Sequence, residues 1–145
     1  HIVVTHMIPF CGYNMGDYWQ HWLDMEDKIA NPPVICNVNW FRTDDEGHFL
    51  WPGFGDNLRV IEWVLKRAFG EVDAVESEIG YLPRPEDIDL EGSGVDLETL
   101  RGLLSVDRTL WQQECAGIAE FYAKFGDKLP AELKAELEAL EARLQ

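Results

Sequence analysis

Apolar and polar positions alternate along this chain in two distinct rhythms. After Gly12 and the Met15–Gly16 pair, DYWQHWLDMEDKI repeats its apolar residues at helical spacing. Tyr18, Trp22, Met25 and Ile29 form one stripe, and Trp19 and Leu23 widen it into a face expected to be buried. Asn31-Pro32-Pro33 should stop this helix, because proline lacks an amide and restricts the residue before it. The rhythm then shortens. VICNVNWF is β-branched and aromatic and predicts a strand from Val34 to Phe41. Asp44-Asp45-Glu46-Gly47 has turn chemistry and HFLW returns, so a β-hairpin is expected over Asn39–Trp51.

Helical spacing resumes after the loop Pro52-Gly53-Phe54-Gly55. Asp56 or Asn57 is placed to cap a helix through a side-chain oxygen. Val60, Ile61, Trp63, Val64 and Leu65 give that helix a wide apolar surface, and Gly70 suits its end. Ser77–Leu82 predicts a further short strand closed by Pro83 and Pro85, and Glu86–Gly94 reads as an acidic loop. Asp96 opens a short helix with Leu97, Leu100, Leu103 and Leu104. Ser105 is expected to cap a longer one carrying Leu110, Trp111, Ile118, Phe121, Tyr122 and Phe125, ending at Gly126. Pro130 fits the first turn of a last helix whose Leu133, Leu137, Leu140 and Leu144 share one stripe. That stripe could pair with a partner helix, but two heptads are short for a coiled coil and docking on its own domain is favoured. The expected class is α+β, a short hairpin or small sheet packed with several helices, the C-terminal half helix-rich.

Composition narrows what such a domain can do. With 145 residues, 46% of them hydrophobic, the chain can build a core. No run approaches the roughly 18 apolar residues of a membrane span, and no secretory leader is visible, so a soluble cytoplasmic protein is expected. A net charge of −15, from 27 acidic and 12 basic residues, opposes binding to nucleic acid or an anionic membrane. Cys11, Cys36 and Cys115 make no CxxC pair and read as free buried thiols. The opening HIVVTHM, residues 1–7, reads as a tag or cloning remnant, with the native domain covering 8–145. Setting it aside leaves only His21 and His48, without a metal-ligand spacing. Acid–base or nucleophilic catalysis finds no support either: Asp44, Asp45 and Glu46 are a solvated turn, and Cys11 has no evident base beside it.

Candidate chemistry concentrates in NWFRTDDEGHFLWPGFGDN, Asn39–Asn57, which holds five Phe or Trp residues. Two readings stand at this point. Aromatic residues on strands are usually core. Alternatively, Phe41 on the hairpin and Phe54 in its exit loop could face each other across a flat base, with Phe49 on the return strand. Glycines 53 and 55 would let Phe54 approach a ligand closely. Asn57 offers an amide with both donor and acceptor, suited to a purine edge. GFGDN itself lacks the lysine and hydroxyl of a phosphate-binding loop.

IPFCGYNMGDYWQHWL, VNWFRTDDEGHFLWPGFGDNLRVIEWVLKR and IGYLPRPEDIDLEG together resemble GTP-dependent phosphoenolpyruvate carboxykinase in its actinobacterial-type branch. The likeness runs from Ile8 to the C-terminus, and NWFR…FLWPGFG(D/E)N is specific to that family. It implies a C-terminal portion of the family's nucleotide-binding domain. It also implies a guanine pocket for GTP or GDP, in which Phe41 and Phe54 sandwich the base and Phe49 completes the wall, with Trp40 and Asn57 as neighbours. Family segments supplying the phosphate loop, the ligands of the catalytic manganese, the substrate arginines and the lid have no counterpart here. No catalytic or metal-binding residue is therefore assigned, and the chain alone is expected to be inactive. Its implied partners are the guanine nucleotide and the remainder of the enzyme. Where the family carries a DPMAM-like sequence before PFxGYN, this chain has VVTHM. The contrasting reading is a non-catalytic helical interaction or dimerisation module built on Leu133–Leu144, or an oligomer formed by a surface left uncovered.

Overall fold

A computed structural model describes residues 10–145; the expected remnant at 1–7 lies outside the described residues. Among them are five α-helices, α1 (Met15–Glu26), α2 (Asn57–Ala68), α3 (Leu97–Leu104), α4 (Arg108–Ala123) and α5 (Ala131–Arg143), and a two-stranded sheet, β1 (Val75–Ser77) with β2 (Gly80–Leu82). Short 3-10 turns stand at Pro85–Asp87 and Gly126–Lys128. This is the α+β arrangement that the pattern predicts. The chain divides into two units, one joining the segment through Pro33 to Asp107–Gln145, the other Val34–Val106.

In the first unit Asn14 caps α1, its Oδ1 accepting the Gly16 amide at 2.8 Å while its Nδ2 donates to the Phe125 carbonyl at 3.3 Å. The buried face of α1 is not the one predicted. Met15 is buried and Trp19 meets Phe125 edge-on at 4.6 Å, whereas Trp22 is 53% exposed and Ile29 lies beyond the helix end. The residues that were expected only to widen the stripe carry the packing, because the Phe121–Phe125 pair lies against Trp19. The cap of α4 is Asp107, whose carboxylate accepts the Thr109 and Leu110 amides. Ser105 instead ends α3, its hydroxyl donating to the Gly102 carbonyl at 2.7 Å. α4 stops at Ala123, and Gly126, at φ +58°, starts the following 3-10 turn. α5 packs on α4, Leu144 is buried and Gln112 donates to its carbonyl. The leucine stripe is thus taken up within its own unit. Of the three cysteines only Cys115 is buried, a correction to the expectation for Cys11 and Cys36; burial, then Glu141 and Glu114, pushes the Cys115 thiol pKa up.

The second unit packs around Trp51, Trp63, Ile88 and Leu100, with Trp40, Val60, Val64 and Leu103 against them. α2 supplies Val60, Trp63 and Val64 to this core. Ile61 and Leu65, predicted to share its apolar surface, face outward and are exposed. The helix ends as Gly70 predicts: at φ +73° its amide bonds Arg67, and the Glu71 amide reaches back to Lys66 at 2.8 Å. The segment read as one strand at 77–82 instead holds the end of β1, the turn and the return strand of a tight hairpin, Val75 pairing with Leu82 and Ser77 with Gly80. Gly80, at φ +121°, permits the reversal.

Candidate functional site

The predicted hairpin over Asn39–Trp51 is present in reduced form. Thr43 and Phe49 make a single antiparallel bridge. Around it, the Leu50 amide donates to the Arg42 carbonyl and the Asp44 amide to the His48 carbonyl, both at 2.9 Å. The Asp44 carboxylate organises the turn, accepting the amides of Glu46 at 2.9 Å and His48 at 2.8 Å. Those bonds favour its charged form and hold its pKa below the usual value, the His48 amide contributing most. The strand predicted for Val34–Phe41 does not form; among the described residues Val34–Asn39 has no partner strand.

Arg42 fixes this hairpin on the unit. Its Nη1 donates to the carbonyls of Gly102 at 3.0 Å and Leu103 at 2.8 Å. A guanidinium therefore meets the carbonyl-rich end of α3, where a positive charge is favoured. The two-residue period of the chain does the rest. Trp40 turns in, 6.5 Å from Trp51 in the core. Phe41 turns out and is 54% exposed. Returning, Phe49 is 63% exposed and Trp51 is buried. Hence the same pattern yields both core and outward aromatic residues: the core reading holds for Trp40 and Trp51 and fails for Phe41 and Phe49.

Phe41 and Phe49 meet edge-to-face, centroids 6.1 Å apart at 62°. Phe54 makes none of the ring contacts found among the described residues and is 95% exposed. It stands in a turn closed by the Asp56 amide on the Gly53 carbonyl at 3.0 Å, with Gly53 at φ +105°, a conformation that a side chain would strain. The structure thus joins Phe41 to Phe49 and leaves Phe54 displayed without a packing partner, an unusual place for a phenyl ring.

Asn57 is the first residue of α2, and its Oδ1 accepts the indole N–H of Trp51 at 3.0 Å. Neither predicted cap operates through its side chain. Asp56 occupies the cap position without a capping bond and holds Arg59 Nε at 2.8 Å instead. Arg59 then donates to the carbonyls of Asp89 at 2.9 Å and Glu91 at 2.7 Å, tying the acidic loop to the start of α2. These bonds escaped sequence reading because an arginine's carbonyl partners leave no periodic trace. With the Asn57 oxygen engaged, its amide nitrogen is the polar atom left for a ligand. Among the described residues no group of His, Cys, Asp or Glu could hold a metal ion, and no helix is long and apolar enough to cross a membrane.

Comparison with known proteins places the chain in a family. The family model described as the phosphoenolpyruvate carboxykinase C-terminal P-loop domain matches residues 4–143. A phosphoenolpyruvate carboxykinase [GTP] of Paenarthrobacter aurescens (strain TC1) is 48% identical over 141 residues, 95% of this chain. Proteins of the same name from Treponema pallidum (strain Nichols) and Anaeromyxobacter dehalogenans (strain 2CP-C) are 47% and 46% identical over 95% and 96% of it. In each case the chain spans 23% of the relative's length. The outward phenylalanines and the fold that carries them therefore sit in a chain that belongs to the GTP-dependent phosphoenolpyruvate carboxykinase family and matches its C-terminal domain.

Proposed function

We propose that this chain forms the guanine-binding wall of a GTP-dependent phosphoenolpyruvate carboxykinase. The observation that carries the proposal is the outward set of Phe41, Phe49 and Phe54, the last 95% exposed, held on a turn and hairpin that Arg42 and Gly53 fix in place. Phe41 and Phe54 take the two faces of the base and Phe49 backs Phe41, each stacked face contributing on the order of 1–3 kcal/mol. Trp40 supports Phe41 from the core side. Stacking accepts any base, so selection needs an edge contact. Asn57, whose oxygen is held by Trp51, presents an N–H donor. A donor suits the O6 acceptor of guanine and opposes the exocyclic amine of adenine.

In the complete enzyme the reaction is decarboxylation of oxaloacetate with phosphoryl transfer from GTP, giving phosphoenolpyruvate, GDP and carbon dioxide, a gluconeogenic step in the cytoplasm. This chain's share is to orient the nucleotide so that its γ-phosphate reaches the rest of the site. Manganese, which the family implies, finds no fitting donor set among the described residues. Its ligands belong to the remainder of the enzyme, and the chain alone is inactive. The test is Phe54→Ala in the full-length enzyme. The Michaelis constant for GTP should rise at least about fivefold, from the loss of one stacked face, with metal affinity unchanged. An unaltered nucleotide constant would remove Phe54 from the site.

A further inference from the structure

Val34–Asn39 has the composition of a strand and, among the described residues, none of a strand's surroundings. VICNVN is β-branched at three of its six positions, with two adjacent apolar residues, so apolar side chains fall on both faces. The face of Val34, Cys36 and Val38 is wholly apolar and that of Ile35, Asn37 and Asn39 is mixed, the pattern of a strand with one covered face. Yet no backbone group of Val34–Asn39 bonds another backbone group among the described residues. Val34 is 64%, Ile35 76% and Val38 38% exposed, and Cys36 is exposed too. A run of strand-forming residues with open amides and carbonyls is a template for pairing.

The chain just beyond it fixes the direction of the side chains. Trp40 faces the core, Phe41 faces out, and Thr43 already pairs with Phe49. Carrying the same two-residue period upstream puts Val38, Cys36 and Val34 in line with Trp40, and Asn39, Asn37 and Ile35 in line with Phe41. We infer that Val34–Asn39 is a sheet strand whose hydrogen-bonding partner is a strand of the full-length enzyme outside this chain. The length argues for that occupant: relatives carry more than three-quarters of their polypeptide beyond the matched part, since the chain covers 23% of them. Pairing there clamps the residues immediately before Trp40 and Phe41, and so adds to the hold that Arg42 already gives the stacking wall. The inference rests on the reading of the chain as part of that enzyme.

Hydrogen–deuterium exchange on the full-length enzyme and on this chain tests it. In the full-length enzyme the amides of residues 34–39 should exchange roughly a thousandfold or more slowly than in an unstructured peptide, as core strands do. In this chain they should exchange near the unstructured rate. Alkylation of Cys36 should follow the same contrast, fast here and slow in the enzyme. Fast exchange of these amides in the full-length enzyme, with α2 protected, overturns the inference. So does protection in this chain that grows with its concentration while the full-length enzyme leaves the amides open, which assigns the strand to a second copy. GTP titration of the same enzyme separates the two proposals. Nucleotide binding with an unprotected strand sinks only the strand, and a protected strand without nucleotide binding sinks only the base site.

Discussion

A methyl group at Gly16 would overlap the backbone carbonyl of Lys128, and a backbone atom cannot swing aside as a side chain can. The first turn of α1 therefore approaches the 3-10 turn at Gly126–Lys128 more closely than any residue with a Cβ allows. Gly16→Ala should destabilise that unit by about 1–3 kcal/mol, the usual scale of overpacking. Urea unfolding followed by tryptophan fluorescence would show it, and a midpoint equal to that of the parent would mean that the turn yields. Such close approaches are invisible in sequence, where Gly16 reads only as a residue just ahead of the predicted helix. Asn57 illustrates the same limit. Its residue type offered an amide with both donor and acceptor, but the commitment of its oxygen to Trp51 is a tertiary fact. Asp107 rather than Ser105 caps α4 because both are competent cap residues two positions apart. The difference lies in which carbonyls and amides need partners.

Among elements, the hairpin shows what periodicity can and cannot deliver. Its turn chemistry, its aromatic alternation and the helix that follows were all legible, because each depends on neighbours in sequence. The strand at Val34–Phe41 was equally legible as a propensity, but a strand exists only with a partner, and the described residues offer none. What the hairpin lacks in ladder it makes up at its turn, where Asp44 accepts two backbone amides. The carboxylate's folded pKa lies below its unfolded value, with the His48 amide as first cause. Its contribution is therefore present above the unfolded pKa and is lost as pH falls through the folded one. In an acid titration followed by NMR, the His48 and Glu46 amide signals should move together, with a midpoint below the ordinary aspartate value of about 3.9. A midpoint at or above that value would show that the carboxylate does not organise the turn. Asp44→Asn should abolish the shared titration while leaving the α2 signals unchanged.

At the scale of the whole molecule, the proposed guanine nucleotide would meet a chain of net charge −15. Three cations of the unit that carries the proposed base wall are engaged: Arg42 on the end of α3, Arg59 on Asp56 and the acidic loop, Lys66 on Glu62. Two stacked faces and one amide leave about 2–5 kcal/mol for binding by this chain, which is a Kd of about 0.2 mM or weaker. The sign of the salt dependence then separates the chain from the enzyme. For the chain, added salt screens repulsion between its acidic surface and the phosphates, so GDP should bind more tightly at about 0.5 M than at about 0.05 M salt. For the full-length enzyme, which must contribute positive groups to hold a triphosphate, affinity should fall over the same range. Isothermal titration or NMR shift mapping at the two ionic strengths would measure both. Micromolar binding by the chain alone, weakening with salt, would mean that phosphate contacts reside in these 145 residues. The base wall would then be a complete nucleotide site rather than one side of it.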